Sequence, residues 1–544
     1  MKKGIIYDMT TSKPQNKIEE TLLMIWDKVL DHKIDSTQTN FFSEGGNSLI
    51  ATLVISEIKN TYHVDVSFED LLKNDSIEKL ANFIVNQLWL SKQVINNKTL
   101  EKESKSIDTL EEESGPVDSL KASPQQSRMV LNQLFNPSST AFNIPVIFQL
   151  TDQFDKNEFE DCLKEIIKKH QTLNINFSIN EDGIFQKVQN QIIDVREIKI
   201  AAFDETLSSI ISPFEIGKDS LIRLIYADAP SEKYLILDFH HSIIDGYSIV
   251  LLHNELFKKL SDEKIYFENV DYFDYCIWME KYIHSPSYKK QEKFWLKIFE
   301  NYQLIQHLKQ KSNSTFEGDS IEFSFSKDLN KKIRETTKEW GISIYSFLLS
   351  MYAQLIHKEH NLYDFIIGTP VSGRTNPRFI KTIGMFINTL PIRVKINDSE
   401  NYEQYSQRMN SNIRKMLENQ DYQFDHLVEQ LKKINPQLPR LEFETMFNYQ
   451  NYSRNWKSLE KFGLNHITVR QNSEKFNFSM TLEEREDEIL GCFSFNVEVL
   501  TRNEAKWYVE QFINICEEAV VQKDINTVTT LQNIEDTNIY NGKP

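Results

Sequence analysis

Two stretches of this chain combine residue types and spacing suited to chemistry. The first is Gly45-Gly46-Asn47-Ser48-Leu49. Paired glycines allow a tight turn because no Cβ obstructs it. The serine then stands where a helix is expected to begin, and a phosphate attached there meets the helix dipole and free backbone N–H groups. Taken alone, the pattern is more often a glycine turn with an N-capping serine. The second stretch is His240-His241-Ser242-Ile243-Ile244-Asp245-Gly246, directly after an apolar run ending in Phe239. Histidine transfers protons near neutral pH. Asp245 can orient the turn without titrating, and Gly246 permits a backbone geometry that other residues resist. A structural histidine pair at a strand end is the plain alternative. No HExxH spacing or Cys/His cluster accompanies the pair, so no metal is expected.

The elements that must position these residues follow from periodicity. Ile18, Leu22, Ile25, Trp26 and Val29 make one helical face, and Leu49, Leu53, Ile55 and Ile58 make a second. A short helix is predicted over 68–73, and a further one, capped by Asp75 or Ser76, holds Ile77, Leu80, Ala81, Phe83 and Ile84. Residues 17–90 are therefore a compact helical unit, preceded by a tail or docking segment over 1–16. Residues 91–122 are charged and serine-containing with little to bury, which predicts a linker. A flexible coil of that length spans roughly 30 Å root-mean-square and keeps a tethered domain at about millimolar effective concentration. From Ser123 onward strands and helices alternate: strands at 144–150, 221–226, 234–239 and 320–325, helices at 159–170 and 249–260. Two α/β lobes are expected, 123–300 and 301–544.

Bulk properties narrow the function classes. The 544 residues exceed what one core accommodates. A net charge of −17 disfavours nucleic acid and anionic membrane surfaces as partners. No apolar run of transmembrane length and no signal-peptide pattern occurs. Cys162, Cys276, Cys492 and Cys516 are scattered, which fits a reducing cytoplasm.

Over residues 17–90 the chain resembles the carrier-protein family of nonribosomal peptide synthetases, through its first helix, Phe41-Phe42, Gly45-Gly46-Asn47-Ser48-Leu49 and the helices that follow. That resemblance places a covalent 4'-phosphopantetheine on Ser48. Such carriers often have His or Asp where this chain has Asn47.

The HHxxxDG pattern at 240–246 resembles the condensation-domain family, which has the chloramphenicol acetyltransferase-like fold. Other family motifs occur in family order: Ser123-Pro124-Gln125-Gln126-Ser127-Arg128-Met129, Tyr272-Phe273-Asp274-Tyr275-Cys276-Ile277-Trp278, Gly368-Thr369-Pro370-Val371-Ser372-Gly373-Arg374, Ile383 to Arg393, Asn419 to Phe424, and Phe447-Asn448-Tyr449-Gln450. One departs from the family: Lys169-His170-Gln171-Thr172-Leu173 lacks the usual arginine and glutamate, so donor stereochemistry is not assigned.

The resemblance implies a multidomain chain in which a four-helix carrier bundle precedes a two-lobed α/β condensation domain. The two lobes would form a V with His241 in the tunnel between them. His241 would position the attacking amine and assist its deprotonation. Asp245 would form an internal salt bridge with Arg374 or Arg393, and His240 would be structural. As the upstream carrier, Ser48 would supply the acyl or peptidyl donor, and an amide bond would form. Implied partners are a phosphopantetheinyl transferase, an upstream adenylation domain, and a downstream carrier or free amine as acceptor; a monomer is expected. Alternatives are a carrier–epimerisation didomain, a non-catalytic recruitment domain and an ester-forming variant. Epimerisation domains usually continue Ser-Trp after the motif, where this chain has Tyr247-Ser248-Ile249. Heterocyclisation domains replace the histidines with paired aspartates.

Overall fold

The computed structural model describes residues 13–521, apart from 31, 47, 97–118, 190–192, 204–209, 266–269, 303–307, 309–315, 438–440, 451–455, 469–472 and 486–487. Most of the expected N-terminal segment, most of the expected linker, and Asn47 thus lie outside the described residues. Two compact units divide the chain. One holds the N-terminal helices with residues 337–344 and 374–380, and the other holds most of the remainder.

The N-terminal helices are α1 (Lys17–Leu30), α2 (Ser48–Tyr62), α3 (Phe68–Lys73) and α4 (Ile77–Asn96). Three of these starts have a local cause in a side chain. The Asn16 side chain accepts the N–H groups of Ile18 and Glu19 at 3.0 and 2.9 Å. Ser67 and Asp70 form a capping box on α3, and Ser76 Oγ accepts Lys79 N–H at 3.3 Å on α4. Leu22, Trp26, Phe41, Ile58, Leu71, Leu80 and Ile84 are wholly buried in one core. The helix α4 continues to Asn96, so the linker expected from residue 91 begins later. No glycine or proline stands between Ile77 and Asn96 to stop it.

The second unit begins with β1 (Leu120–Lys121), which also shortens the expected linker at its far end, and continues through α5 (Pro124–Phe135), β2 (Asn143–Leu150), α6 (Lys156–Lys169), β3 (Ile175–Asn180), β4 (Gly183–Val188), β5 (Asp194–Lys199), β6 (Ile222–Asp228), β7 (Lys233–His240), α7 (Gly246–Leu260), α8 (Tyr272–Tyr282) and α9 (Pro286–Ile298). The C-terminal half adds β8 (Gly318–Ser324), α10 (Lys327–Trp340), α11 (Ile344–His360), β9 (Asp364–Val371), β10 (Asn388–Lys395), α12 (Tyr402–Leu417), α13 (Phe424–Ile434), β11 (Thr445–Gln450), β12 (Leu464–Ile467), β13 (Phe478–Arg485), β14 (Glu488–Asn496) and α14 (Arg502–Val521).

Three sheets result. A six-stranded sheet has the order β10-β9-β11-β13-β14-β8, and a three-stranded one β1-β4-β3. A five-stranded sheet has the order β12-β2-β7-β6-β5, with Asn143 opposite His240 and Leu464 opposite Leu150. Its core packs Leu163, Ile166 and Ile167 of α6 and Ile249, Leu252 and Leu256 of α7 against Phe148, Leu237 and Phe239. Leu459 and Leu464 join that same core. The expected division near residue 300 is therefore crossed: β12, from the C-terminal half, completes the N-terminal lobe's sheet, because an apolar edge at β2 is covered by pairing. Among the described residues no helix is long and apolar enough to cross a membrane.

A Cβ on Gly46 would lie 2.4 Å from the Phe41 ring. A Gly46→Ala chain is expected to lose roughly 1–3 kcal/mol from the helical bundle. Hydrogen exchange of the full chain should then speed up over residues 17–30 and stay unchanged over 233–240; equal protection in both proteins counts against this packing.

Candidate functional site

Ser48 is the first residue of the 15-residue helix α2. Gly45 adopts φ +89°, and Gly46 N–H reaches Phe41 O at 3.0 Å. The first glycine is needed for its dihedral, the second for close approach. Phe41 is fixed from both sides: its ring meets Trp26 edge-on at 4.9 Å, and its N–H donates to Asp75 O at 2.7 Å. Asn40 Nδ2 also donates to Asp75 Oδ2 at 2.7 Å. The serine thus starts a helix whose approach loop is tied to the start of α4. A phosphodiester on Ser48 suits this place: it stands at the positive end of α2, after two glycines.

The histidine motif grows out of β7. His240 is the last strand residue and is wholly buried. Ser242 N–H donates to His240 Nδ1 at 3.2 Å, and the Ser242 hydroxyl lies 2.7 Å from the same nitrogen. An N–H can only donate, so Nδ1 accepts and the ring proton of His240 sits on Nε2. His241 has the opposite tautomer. Its Nδ1 lies 3.0 Å from Ile244 O, a carbonyl that can only accept, so Nδ1 carries the proton and Nε2 keeps a lone pair. The His241 backbone N–H donates to Phe142 O at 2.8 Å, which ties the loop to the start of β2. Burial holds the His241 imidazole down to about 4, aided by the Lys475 charge. His240 is held to about 3 by burial, then by the charges of His241, Lys475 and Arg223.

Asp245 caps α7: Oδ1 accepts Ser248 N–H at 2.7 Å. Its Oδ2 accepts Phe386 N–H at 3.1 Å. Ser248 Oγ donates to Gly384 O at 2.9 Å and lies 3.0 Å from Gly384 N–H. The expected salt bridge to Arg393 is absent, because Arg393 forms a fork with Asp364, Nη2 to Oδ2 at 2.6 Å. Arg374 is fully buried. Gly246 is the first residue of α7, so the special backbone conformation expected there is not needed. Among the described residues no group of His, Cys, Asp or Glu could hold a metal.

The other motifs converge on the same segment. The Tyr272 hydroxyl donates to Met385 O and accepts from Ser123 Oγ at 2.8 Å. Gln125 Nε2 donates to the Tyr275 hydroxyl at 2.7 Å, and Arg128 donates to Ile387 O at 3.1 Å. Asn388 Nδ2 donates to the carbonyls of Gln420 and Tyr422 at 2.8 and 2.9 Å. In the departing motif, His170 Nε2 lies 2.7 Å from Glu255 of α7. Below the histidines, Asp238 accepts from Asn143 at 2.9 Å and pairs with buried Arg223 at 3.4 Å. Burial pushes its carboxyl up to about 7 despite both partners. Sequence reasoning did not single out Asn143, Arg223, Asp238 or Lys475, whose spacing carries no signal.

A helical bundle with a glycine-set serine at a helix start, followed by two α/β lobes joined through a His-His-Asp loop, defines a carrier domain preceding a condensation-type domain. The chain belongs to the condensation-domain family: the Condensation domain family matches residues 117–540, and the Phosphopantetheine attachment site family matches residues 20–84. It is 28% identical to bacitracin synthase 2 of Bacillus licheniformis over 96% of this chain and 20% of that one. It is 28% identical to gramicidin S synthase 2 of Brevibacillus brevis over 92% of this chain and 11% of that one. The chain thus spans at most a fifth of these relatives. Among solved structures, a four-domain nonribosomal peptide synthetase bound to AMP and glycine aligns over 78% of this chain and 34% of its own, with TM-score 0.68 and 18% identity. The X-domain from teicoplanin biosynthesis aligns over 76% and 97%, with TM-score 0.66 and 15% identity. The protein has carrier-plus-condensation architecture, and its first domain is of the kind that bears covalent 4'-phosphopantetheine.

The buried neutral His240 has a stability signature. Its folded value of about 3 lies below the ordinary 6.5. As pH falls below 6.5 the unfolded chain takes up a proton that the folded chain refuses, so stability drops until about pH 3 and is full above 6.5. Between pH 6.5 and 5 this amounts to up to about 2 kcal/mol. A His240→Asn chain is expected to show a shallower decline in urea midpoint over that window; parallel declines rule this out.

Proposed function

We propose that this didomain transfers an acyl or peptidyl group, held as a thioester on the Ser48 arm, to an acceptor amine, forming an amide. When attached, phosphopantetheine supplies the thiol that activates the donor carbonyl. The single observation that carries this reading is the His241 loop: its Nε2 lone pair is left available while Nδ1–H is held by Ile244 O. An imidazole held near 4 is too weak to strip an ammonium in bulk. Its contribution is to accept a hydrogen bond from the incoming amine and hold its lone pair toward the carbonyl, with the proton passing as the C–N bond forms. His240 supports the strand end, and Asp245 fixes the start of α7 against the segment 384–386. Domain order makes Ser48 the donor carrier.

A phosphopantetheinyl transferase, an upstream adenylation domain, and an acceptor that is a downstream carrier or a free amine complete the reaction. We place the protein in the cytoplasm, as a monomer. We assign the carrier to 17–90, with α4 running on to Asn96, and the start of the condensation domain to the neighbourhood of Leu120.

Intact-mass measurement after incubation with a promiscuous phosphopantetheinyl transferase and an acyl-coenzyme A tests the first half: wild type is expected to gain the acylated arm and Ser48→Ala to gain nothing. Supplied with amine acceptors, loaded His241→Ala should form amide at least about 100-fold more slowly. An undiminished rate removes His241 from the reaction. Because His241 is neutral throughout, the wild-type rate between pH 6 and 8 should follow acceptor deprotonation without a break near 6.5; such a break points to a different titrating group.

A further inference from the structure

Among the described residues, the charge of Lys475, outside the motifs, acts on both histidines. It lies just before β13, in the C-terminal half, and its ammonium stands 4.3 Å from the centroid of the Phe142 ring. Phe142 is 3% exposed, and its carbonyl is the acceptor for His241 N–H. The lysine thus reaches from one lobe to the residue that anchors the histidine loop in the other.

The segment that carries it is held at neighbouring residues. Ser473 bridges to Glu317, Glu474 N–H donates to Phe316 O at 2.8 Å, and Asn477 N–H donates to Glu444 O at 2.9 Å. Gly318 permits this approach, since a Cβ there would lie 2.7 Å from Glu474 N. The neighbouring Glu474 carboxylate accepts from Phe476 N–H at 3.0 Å and from the Ser479 hydroxyl at 2.6 Å. An ammonium fixed on an aromatic face beside a low-dielectric loop is a preorganised charge, and such charges act most strongly where negative charge develops during reaction.

Resting on the condensation reading above, we propose that the Lys475 ammonium is a positive charge set beside the histidine loop to stabilise the oxyanion that forms as the amine attacks. The amine lone pair forms the C–N bond and the carbonyl π pair moves to oxygen. The oxyanion then collapses, the C–S bond breaks, and the proton lost by the amine ends on the departing thiolate. Lysine neither gains nor loses a proton in this sequence. Burial lowers its pKa to about 8, which still leaves it mostly charged at neutral pH.

The test compares wild type, Lys475→Met, which keeps the stem over Phe142, and Lys475→Arg, which keeps the charge. On the loaded full chain with an amine acceptor, Lys475→Met is expected to lower kcat by about 100-fold or more with acceptor KM within about twofold, and Lys475→Arg to recover most of the loss. On the unloaded chain, carbon-13 histidine NMR, with His241 assigned through His241→Asn, should show the His241 titration moving upward in Lys475→Met. A lysine that merely bridges the lobes would lower the melting temperature, leave the His241 titration in place and spare kcat; that result overturns the proposal. If the loaded wild type forms no amide, the condensation reading fails. The catalytic role of Lys475 then falls with it, while the placing of its charge beside His241 is decided by the titration, which an unmoved value rejects.

Discussion

Asp245 places its two carboxylate oxygens on backbone N–H groups far apart in sequence: Ser248 at the start of α7, and Phe386 just ahead of β10. The group is wholly buried. A buried carboxylate is costly unless its oxygens are satisfied, and charge-assisted bonds to two amides at a positive helix end satisfy them. The same contact closes the histidine loop over the start of α7 and fixes where the 384–388 segment runs. Everything else at the centre is arranged around that shared anchor.

The aromatic cluster supports it from behind. Tyr272 meets Phe386 edge-on at 4.9 Å, and Tyr275 lies 4.5 Å from the same ring. Ser123 and Gln125 each give a hydrogen bond to one of these hydroxyls. Motifs that look independent along the chain are thus one polar and aromatic lining. Buried hydroxyls and amides tolerate such a place only when each finds a partner, which restricts residue types at every position.

Much of this was legible in the sequence where local physics decides. The helix at 68–73 has its capping box in Ser67 and Asp70, and the strand ending at His240 is an apolar run broken only by Asp238 between its Lys and His ends. The two glycines before Ser48 announce a turn. Long-range pairing was not legible. A four-residue strand at Leu464–Ile467 has no distinguishing pattern, and its partner lies in the opposite half of the chain. Of the two arginines expected near Asp245, Arg393 is taken by Asp364 of β9, a pairing that no spacing announces. The acceptor role of Asp245 toward Phe386 N–H was invisible, since every residue but proline carries that donor. Lys475 was hidden for the same reason: nothing in Glu474-Lys475-Phe476 says that the chain brings it to Phe142.

The pairing of β12 with β2 has a consequence for how the molecule is made. The five-stranded sheet lacks its outermost strand until residue 467 has been synthesised, long after Leu150 of β2. At ordinary translation rates of about 5–20 residues per second, that interval is roughly 15 to 60 s. Throughout it, the edge of β2 presents unpaired N–H and C=O groups, an open template for strands of other nascent chains. The N-terminal lobe is therefore not an autonomous folding unit in time. Its completion waits on the C-terminal half, and a polysome bearing many copies holds that edge open in each of them.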